Sequence, residues 1–194
     1  MQSKSSRHDV SHDRILDVAA RTLRRDGYGG VGVADVMKQA GLTHGGFYAH
    51  FPSRDAMLVE ATERAGRENA AAMARHINNH QARGHSALRA VIEGYLSDAH
   101  LRDVEGGCAV AALCSEMQRQ SPTLLEPSIE RVHGLIATVQ RALPAGGTHA
   151  QAMVIASTLV GTLQLARTLG ANAQGKAMLT AARTALLAQY DRGA

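Results

Sequence analysis

Aromatic residues are scarce in this chain. Its 194 residues include four tyrosines, two phenylalanines and no tryptophan. Only four prolines are present, and runs of β-branched residues are rare, whereas alanine and leucine dominate. Because this composition favours helices over strands, we expect an all-α fold. A chain of this length can bury a substantial hydrophobic core.

Cysteines and long apolar runs are also few. The two cysteines, Cys108 and Cys114, do not suggest a secreted disulfide scaffold. The N-terminal run MQSKSSRHDVSHD lacks the apolar segment of a secretory signal. The most apolar stretch, 153–166, is too short to cross a bilayer, and Arg167 follows it. We therefore expect a cytoplasmic protein with no membrane partner.

Charge gives only a weak indication of partners. The formal net charge of +4 and the pI near 9.4 suggest an anionic partner. However, basic residues exceed acidic ones by the same small margin before and after residue 55. Aromatic residues are distributed less evenly, since four of the six precede residue 52. This distribution predicts a small N-terminal unit, the head (1–55), and a larger helical unit, the body (56–194).

The apolar spacing predicts three helices in the head, each bounded by a glycine or a capping residue. The first runs from Ser11, its predicted N-cap, to Gly27. Gly41 ends the second, and Thr43 is the predicted N-cap of the third. Residues 1–10, before the first helix, are expected to be a polar, flexible arm.

Two adjacent glycines, Gly45 and Gly46, stand in the predicted third helix, where each costs about 1 kcal/mol relative to alanine. Phe47 lies on the face that packs inward, while His44 and Tyr48 share the opposite face with the first glycine. Small residues on that face let a helix backbone approach a groove or a phosphate closely. Two short helices joined by a glycine turn match a helix-turn-helix, whose second helix enters the DNA major groove.

The remaining sequence also has helical periodicity. A long helix over about 54–79 is predicted to connect the two units of the molecule. With the three helices of the head, the chain is then expected to contain about nine helices. The further helices of the body are predicted at 86–101, 108–119, 123–143, 149–169 and 176–189.

The run ILDVAARTLRRDGYGGVGVADVMKQAGLTHGGFYAHFPSRDAMLVEA, residues 15–61, resembles the DNA-binding head of the TetR family of transcriptional regulators. The body is similar more loosely, through GGCAVAALCSEM and TLVGTLQLARTLG. The resemblance implies an all-α homodimer that binds a pseudo-palindromic double-stranded DNA operator. It also implies a repressor that releases this operator when a small-molecule effector binds the body.

The resemblance implies DNA contacts in the head. His44 matches a position that contacts base edges, and the backbone amide of Val33 matches one that contacts phosphate. Ala34 and Gly46 depart from the family pattern, because relatives commonly carry a polar or basic residue and a threonine there. Direct base readout is therefore expected to be sparse, with DNA shape carrying more of the specificity. The predicted DNA-binding residues are Val33, Thr43, His44, Gly45, Tyr48, His50 and Arg54.

The body contains candidate residues for ligand binding, dimerisation and redox sensing, each with a structural alternative. Cys108, which follows two glycines, is a candidate redox or electrophile sensor, although buried cysteines are common. Three residues are predicted either to line the ligand cavity or to fill the core: Tyr95, Met117 and Ile136. The last two helices are expected to form a four-helix dimer interface or to belong to the monomer core, with Ile155, Leu159, Leu163 and Leu186 as predicted contributors.

Two other classes of function are less consistent with the sequence. An enzyme that cradles phosphate with the glycines would need a G-x-x-x-x-G-K-[ST] motif after a strand, and the sequence has neither. A membrane-surface module would need a basic amphipathic helix, whereas these helices carry mixed charge. His76 and His80 have the spacing of a metal-binding pair but lack an obvious third ligand. We therefore predict no catalytic residue, no metal and no cofactor.

Overall fold

The computed structural model describes residues 7–191, and this part of the chain is helical, with no strand. The predicted all-α fold is therefore confirmed. The described range contains nine α-helices and one short 3₁₀ helix, His44–Ala49, which we call the recognition helix. The α-helices are α1 Arg7–Gly30, α2 Val33–Gln39, α3 Arg54–Gln81, α4 Ala87–Tyr95, α5 Asp98–Arg102, α6 Ala109–Met117, α7 Pro122–Ala142, α8 His149–Leu169 and α9 Ala173–Tyr190.

The first helix begins earlier than the sequence predicts. Ser11 lies inside α1 rather than at its N-cap, and residues 7–10 are helical rather than part of a flexible arm. The physical reason is a tertiary contact, because His8 Nε2 lies 3.1 Å from the carbonyl oxygen of Ala49. The rest of the predicted arm, residues 1–6, lies outside the described residues.

Helical geometry breaks at Gly27, where the sequence predicts the end of the first helix. Gly27 has a φ of 73°, a left-handed conformation that side chains rarely adopt. A Cβ at this position would also overlap the carboxylate of Glu116, which accepts a hydrogen bond from the backbone N–H of Tyr28 at 3.0 Å. This glycine therefore lets α1 of the head pass close to α6 of the body.

The third helix of the head is a 3₁₀ helix rather than an α-helix. Thr43 occupies the predicted N-cap position with an extended backbone, but its side chain accepts no capping hydrogen bond. Two consecutive glycines weaken helix propensity, and a short 3₁₀ segment suits such a sequence. Gly41, with a φ of 70°, forms the turn between α2 and the recognition helix.

One hydrophobic core continues from the head into the body. It contains residues of α1, α2, the recognition helix and the first part of α3, together with residues of α6 and α7. Tyr28 crosses between the two units, and its hydroxyl lies 3.0 Å from Ser128 Oγ in a buried contact. The predicted boundary after residue 55 falls at the first turn of α3 and stays a prediction, since this core includes residues on both sides of it.

The predicted dimer residues lie in the core of the single chain. Ile155, Leu159 and Leu163 are completely buried, and Leu186 is nearly so. They therefore have the second of their two predicted roles, the monomer core, because α8 packs this face against α9 and the other helices of the body. A dimer interface on the last two helices stays a prediction. Within residues 7–191, α8 is the one helix whose length and hydropathy would suit a membrane span, but this buried face belongs to the chain's own core. Its exposed face carries other large apolar side chains: Met153, Val154, Leu165 and Leu169.

Candidate functional site

The recognition helix presents a narrow exposed edge over a buried aromatic anchor. His44 and Gly45 are exposed, and Tyr48 has 72% of its surface open to solvent. On the other side, Phe47 and Phe51 are almost completely buried and stack with ring centroids 5.6 Å apart. The structure thus brings the central predicted residues to one edge, supported by the core beneath them.

The chain's own packing requires glycine at neither Gly45 nor Gly46. Both have negative φ, so neither uses the left-handed freedom of glycine. A Cβ on Gly45 would meet no atom of the chain within 4 Å. A Cβ on Gly46 would point inward and make ordinary contacts, 3.7 Å from Thr43 Oγ1 and 3.8 Å from Met37 Cε. Packing within the chain therefore does not explain why residue 45 is a glycine.

Arg54 is used largely inside the head. Its guanidinium donates to the carbonyl oxygen of Val31 at 2.9 Å and to that of Tyr28. These bonds connect the first turn of α3 to the end of α1 and to the segment between α1 and α2, while 39% of the Arg54 side chain remains exposed. Val33, the first residue of α2, is half-buried, and its backbone N–H belongs to the first turn, where amides have no acceptor within the helix.

His50 belongs to a cluster of three histidines below the recognition helix. Its ring centroid lies 4.4 Å from that of His8 and 6.0 Å from that of His12. His12 Nε2 in turn lies 2.9 Å from Glu60 Oε2. Burial, followed by the nearby charges of His8 and His12, lowers the pKa of His50 below its usual value. His50 therefore packs as a neutral ring that supports the end of the recognition helix.

Sequence reasoning missed the roles of His8 and His12. Their i, i+4 spacing on α1 was a usable signal, because residues at that spacing lie on one face of a helix. The error followed from placing residues 1–10 in a flexible arm, which separated the two histidines.

The body contains a cavity of about 210 Å³ between α3, α4, α6 and α7. Tyr95 lines this cavity, as predicted, but Met117 and Ile136 do not. Met117 lies at the far end of α6, in the core shared with the head. Ile136 packs from a different face of α7 against a second hydrophobic core, which residues of α4 to α9 form within the body. The cavity is lined by Gly66, Asn69, Ala70, Met73, Val91, Tyr95, Cys108, Ala109, Val110, Glu130, Arg131, Gly134, Leu135, Ala137, Thr138 and Arg141.

Cys108 lines the cavity and is otherwise buried. Its backbone N–H donates to His100 Nε2 at 3.0 Å, and His100 Nδ1 donates to the carbonyl oxygen of Tyr95 at 2.7 Å. Burial lowers the pKa of His100, which favours the neutral ring that these two bonds require. The end of α4 is thereby held against the start of α6. The sensor role of Cys108 stays a prediction, and a reagent in the cavity would lie beside its thiol.

An all-α chain with a helix-turn-helix head and a cavity in a helical body defines a class of DNA-binding regulators. Residues 15–61 match the family described as bacterial regulatory proteins, tetR family. An uncharacterized HTH-type transcriptional regulator of Mycobacterium tuberculosis is 31% identical over 166 residues, which cover 80% of this chain and 83% of the relative. The chain belongs to the TetR family of transcriptional regulators, and its family and fold are those of a DNA-binding regulator, not an enzyme.

Solved structures share the fold over nearly the whole chain. A TetR-family transcriptional regulator from Agrobacterium tumefaciens matches with a TM-score of 0.74 at 24% identity, covering 94% of this chain and 98% of that one. A TetR transcriptional regulator from Chloroflexus aurantiacus matches with a TM-score of 0.76 at 21% identity, covering 95% and 96%. The common architecture therefore includes the body as well as the head.

The lowered pKa of His50 predicts that the protein loses stability in mild acid. Because this pKa lies below 6.5 in the folded chain, the unfolded chain binds more protons as the pH falls through that value. Stability is then present above pH 6.5 and decreases through the folded-state pKa. We expect His50→Gln to reduce the decrease in the thermal unfolding midpoint between about pH 7.5 and pH 5.5.

The control is His149→Gln, an exposed histidine at the start of α8, which should leave the decrease unchanged. The pKa values of His76 and His100 are also lowered, mainly by burial, so part of the pH dependence should remain in both variants. An equal decrease in His50→Gln and the parent protein would contradict the assignment to His50.

Proposed function

We propose that this protein is a dimeric, ligand-responsive repressor that releases a pseudo-palindromic operator when a small molecule binds the cavity of the body. The proposal assigns it to the cytoplasm, with duplex DNA as its partner. The observation that carries the DNA-binding part is the exposed edge of the recognition helix. Gly45 offers a bare backbone there, and nothing in the described chain uses that space.

The proposed DNA contacts divide into those that position the head and those that read bases. Thr43 and Tyr48 are exposed at the two ends of the recognition helix and would contact phosphates. His44 would contact base edges, since its ring offers hydrogen-bonding nitrogens on the exposed edge. With so few side chains at the bases, sequence-dependent groove shape would supply further discrimination.

Three other predicted DNA-binding residues are proposed to act through the backbone, through part of the side chain, or only indirectly. The backbone N–H of Val33 would contact phosphate from the first turn of α2. Arg54 would contact phosphate only through the exposed part of its side chain, because two carbonyl oxygens already engage its guanidinium. His50 would act mainly by supporting the recognition helix, since it packs against His8 and His12.

Ligand binding and DNA binding would be coupled through α3. Its first turn holds the head through Arg54, and residues further along the same helix, from Gly66 to Met73, line the cavity. A ligand that separates α3 from α7 would therefore tilt the head. In a dimer, such a tilt changes the distance between two recognition helices, which must match half-sites about one helical turn apart.

The proposed dimer uses the exposed face of α8 together with α9. Val154 and Leu165 are more than half exposed, at 51% and 57%, and lie on the same face of α8. Gly161 lies between them, and a Cβ there would meet no atom of this chain within 4 Å. A glycine in the middle of a helix costs about 1 kcal/mol relative to alanine, which the close approach of a partner helix would explain.

The DNA-binding proposal predicts opposite effects of Gly45→Ala on stability and on affinity. The free energy of unfolding should rise by up to about 1 kcal/mol, because alanine is the better helix former and finds open space. Operator affinity should fall about tenfold or more, because the added methyl group blocks the close approach of DNA. Thermal unfolding and titration of a labelled operator measure the two effects.

Gly46→Ala is the matched control, because its added methyl group points toward Thr43 and Met37. It should change operator affinity by less than about threefold, well below one factor of ten. Equal losses of affinity in the two variants, or undiminished affinity in Gly45→Ala, would contradict the assignment of this edge to DNA.

The dimer proposal predicts that Leu165→Glu gives a folded monomer. Burying an unpaired carboxylate in an apolar interface costs several kcal/mol, whereas at an exposed position of the monomer it costs little. Sedimentation velocity of parent and variant at the same concentration measures the change. Val104→Glu, at an exposed apolar residue between α5 and α6, is the control and should remain dimeric. A dimeric Leu165→Glu protein would contradict this interface.

A further inference from the structure

Arg131 is a cation without a partner in the cavity wall. It lies on α7 and is half-buried, and its Nε is buried without a hydrogen-bond partner. Among residues 7–191, no carboxylate lies within ion-pair distance of its guanidinium. The neighbouring Glu130 does not neutralise it, because that side chain is 62% exposed and lies 3.7 Å from His133.

Tyr95 supplies a second polar group in the same cavity. The residue is 1% exposed, and its buried hydroxyl makes no hydrogen bond of good geometry in the described chain, where its polar neighbour is the weakly bonding Cys108 thiol. Burial raises the pKa of Tyr95 well above its usual value, so the hydroxyl keeps its proton and can donate it to an oxygen acceptor. A buried polar group without a partner is costly, which points to a ligand that supplies one.

Alanine, valine, leucine and methionine make up half of the other fourteen lining residues, including Met73, Val91 and Leu135. The cavity volume of about 210 Å³ is below the roughly 300–1,000 Å³ of pockets for drug-sized ligands. Of the two arginines in the lining, Arg141 is exposed and donates to Thr138 Oγ1 at 3.1 Å, whereas Arg131 is half-buried. An apolar cavity with a single half-buried cation favours a monoanion over a phosphate-like dianion. A planar carboxylate also matches the fork of a guanidinium, with which it can form two parallel hydrogen bonds.

We propose that the effector is a small monocarboxylate with an apolar body, whose carboxylate pairs with Arg131 and whose binding also engages the Tyr95 hydroxyl. This inference rests on the proposed function, since it names the chemical class that the cavity of the regulator binds. In this arrangement Arg131 on α7 recognises the charge of the ligand, and Tyr95 on α4 donates a hydrogen bond to an oxygen atom of the ligand.

Gly66 leaves the space that the Arg131 side chain occupies in the cavity wall. The guanidinium lies across Gly66 on α3, and a Cβ at that position would overlap it. Gly66→Ala should therefore move the Arg131 guanidinium away from the cavity wall without changing the charge of the protein. A carboxylate bound to Arg131 would in turn alter the contact between α7 and α3, the helix that begins at the head.

The test measures binding of chemical probes to the full-length protein by isothermal titration calorimetry, without DNA. The probes are benzoate, phenylacetate and hexanoate, each paired with its neutral amide. We expect at least one carboxylate to bind at least tenfold more tightly than its amide. Arg131→Met should weaken that carboxylate by about 10- to 100-fold, the range expected for a charge-assisted pair. Arg131→Lys should recover part of the loss.

Two further variants test the geometry. Tyr95→Phe should weaken the bound carboxylate several-fold, because it removes only the hydroxyl. Gly66→Ala should weaken it with all charges retained. Arg75→Met is the control, since it removes an equal charge from an exposed position of α3 outside the cavity. The inference is overturned if no carboxylate binds the folded protein, if the amides bind equally well, or if Arg131→Met binds like Arg75→Met.

A separate operator titration distinguishes this inference from the proposed function. If a carboxylate binds through Arg131 but leaves operator affinity unchanged, the result supports the carboxylate site and contradicts ligand-controlled release. If a neutral compound releases the operator equally well from the parent and from Arg131→Met, the result supports ligand-controlled release and contradicts the carboxylate site.

Discussion

Tyr28 lies where α1 of the head meets the body, and its buried hydroxyl contacts Ser128 Oγ at 3.0 Å. Beside it, Gly27 adopts a conformation that turns the chain and leaves room for Glu116, which accepts the N–H of Tyr28. A buried hydrogen bond contributes about 1 kcal/mol, and the loss of one partner costs more because the other stays desolvated. The position of the head therefore depends on the body, as the proposed control of DNA binding from the body requires.

The same dependence explains how so weak a helix remains ordered. The recognition helix has 3₁₀ geometry and two glycines, and its own propensity would not hold it in place. Phe47 anchors it in the core that runs into α6 and α7, and His50 supports its end through the histidine cluster. Because tertiary packing stabilises the recognition helix, its exposed edge does not need residues of high helix propensity. Gly45 lowers the helix propensity of this segment at a surface that is proposed to contact DNA.

The head was largely predictable from sequence because its signals are local. Glycine turns, apolar spacing and the aromatic pair Phe47 and Phe51 each act within a few residues, and they predicted the turn and the exposed edge. The failures depend on distant contacts. Ser11 was expected to begin a helix that a contact between His8 and Ala49 extends.

In the body, periodicity identified the apolar face of α8 but not which surface would cover it. The sequence therefore left both a dimer contact and the monomer core open for Leu159, which packs within its own chain. Arg131 was missed for a related reason, because a lone arginine on a helix has no sequence signal that distinguishes a solvated side chain from one in a cavity wall. Only the packing of α7 against α3 places its guanidinium across Gly66.

Selection of duplexes from a random pool with the full-length protein tests directly whether the head reads duplex DNA as one half of a symmetric dimer. We expect enrichment of an inverted repeat whose half-site centres lie about 34–36 Å apart or a multiple of that distance. Binding to the selected duplex should weaken steeply as salt rises. A folded dimer that enriches no duplex at low salt, or enriches only single half-sites, would contradict the account.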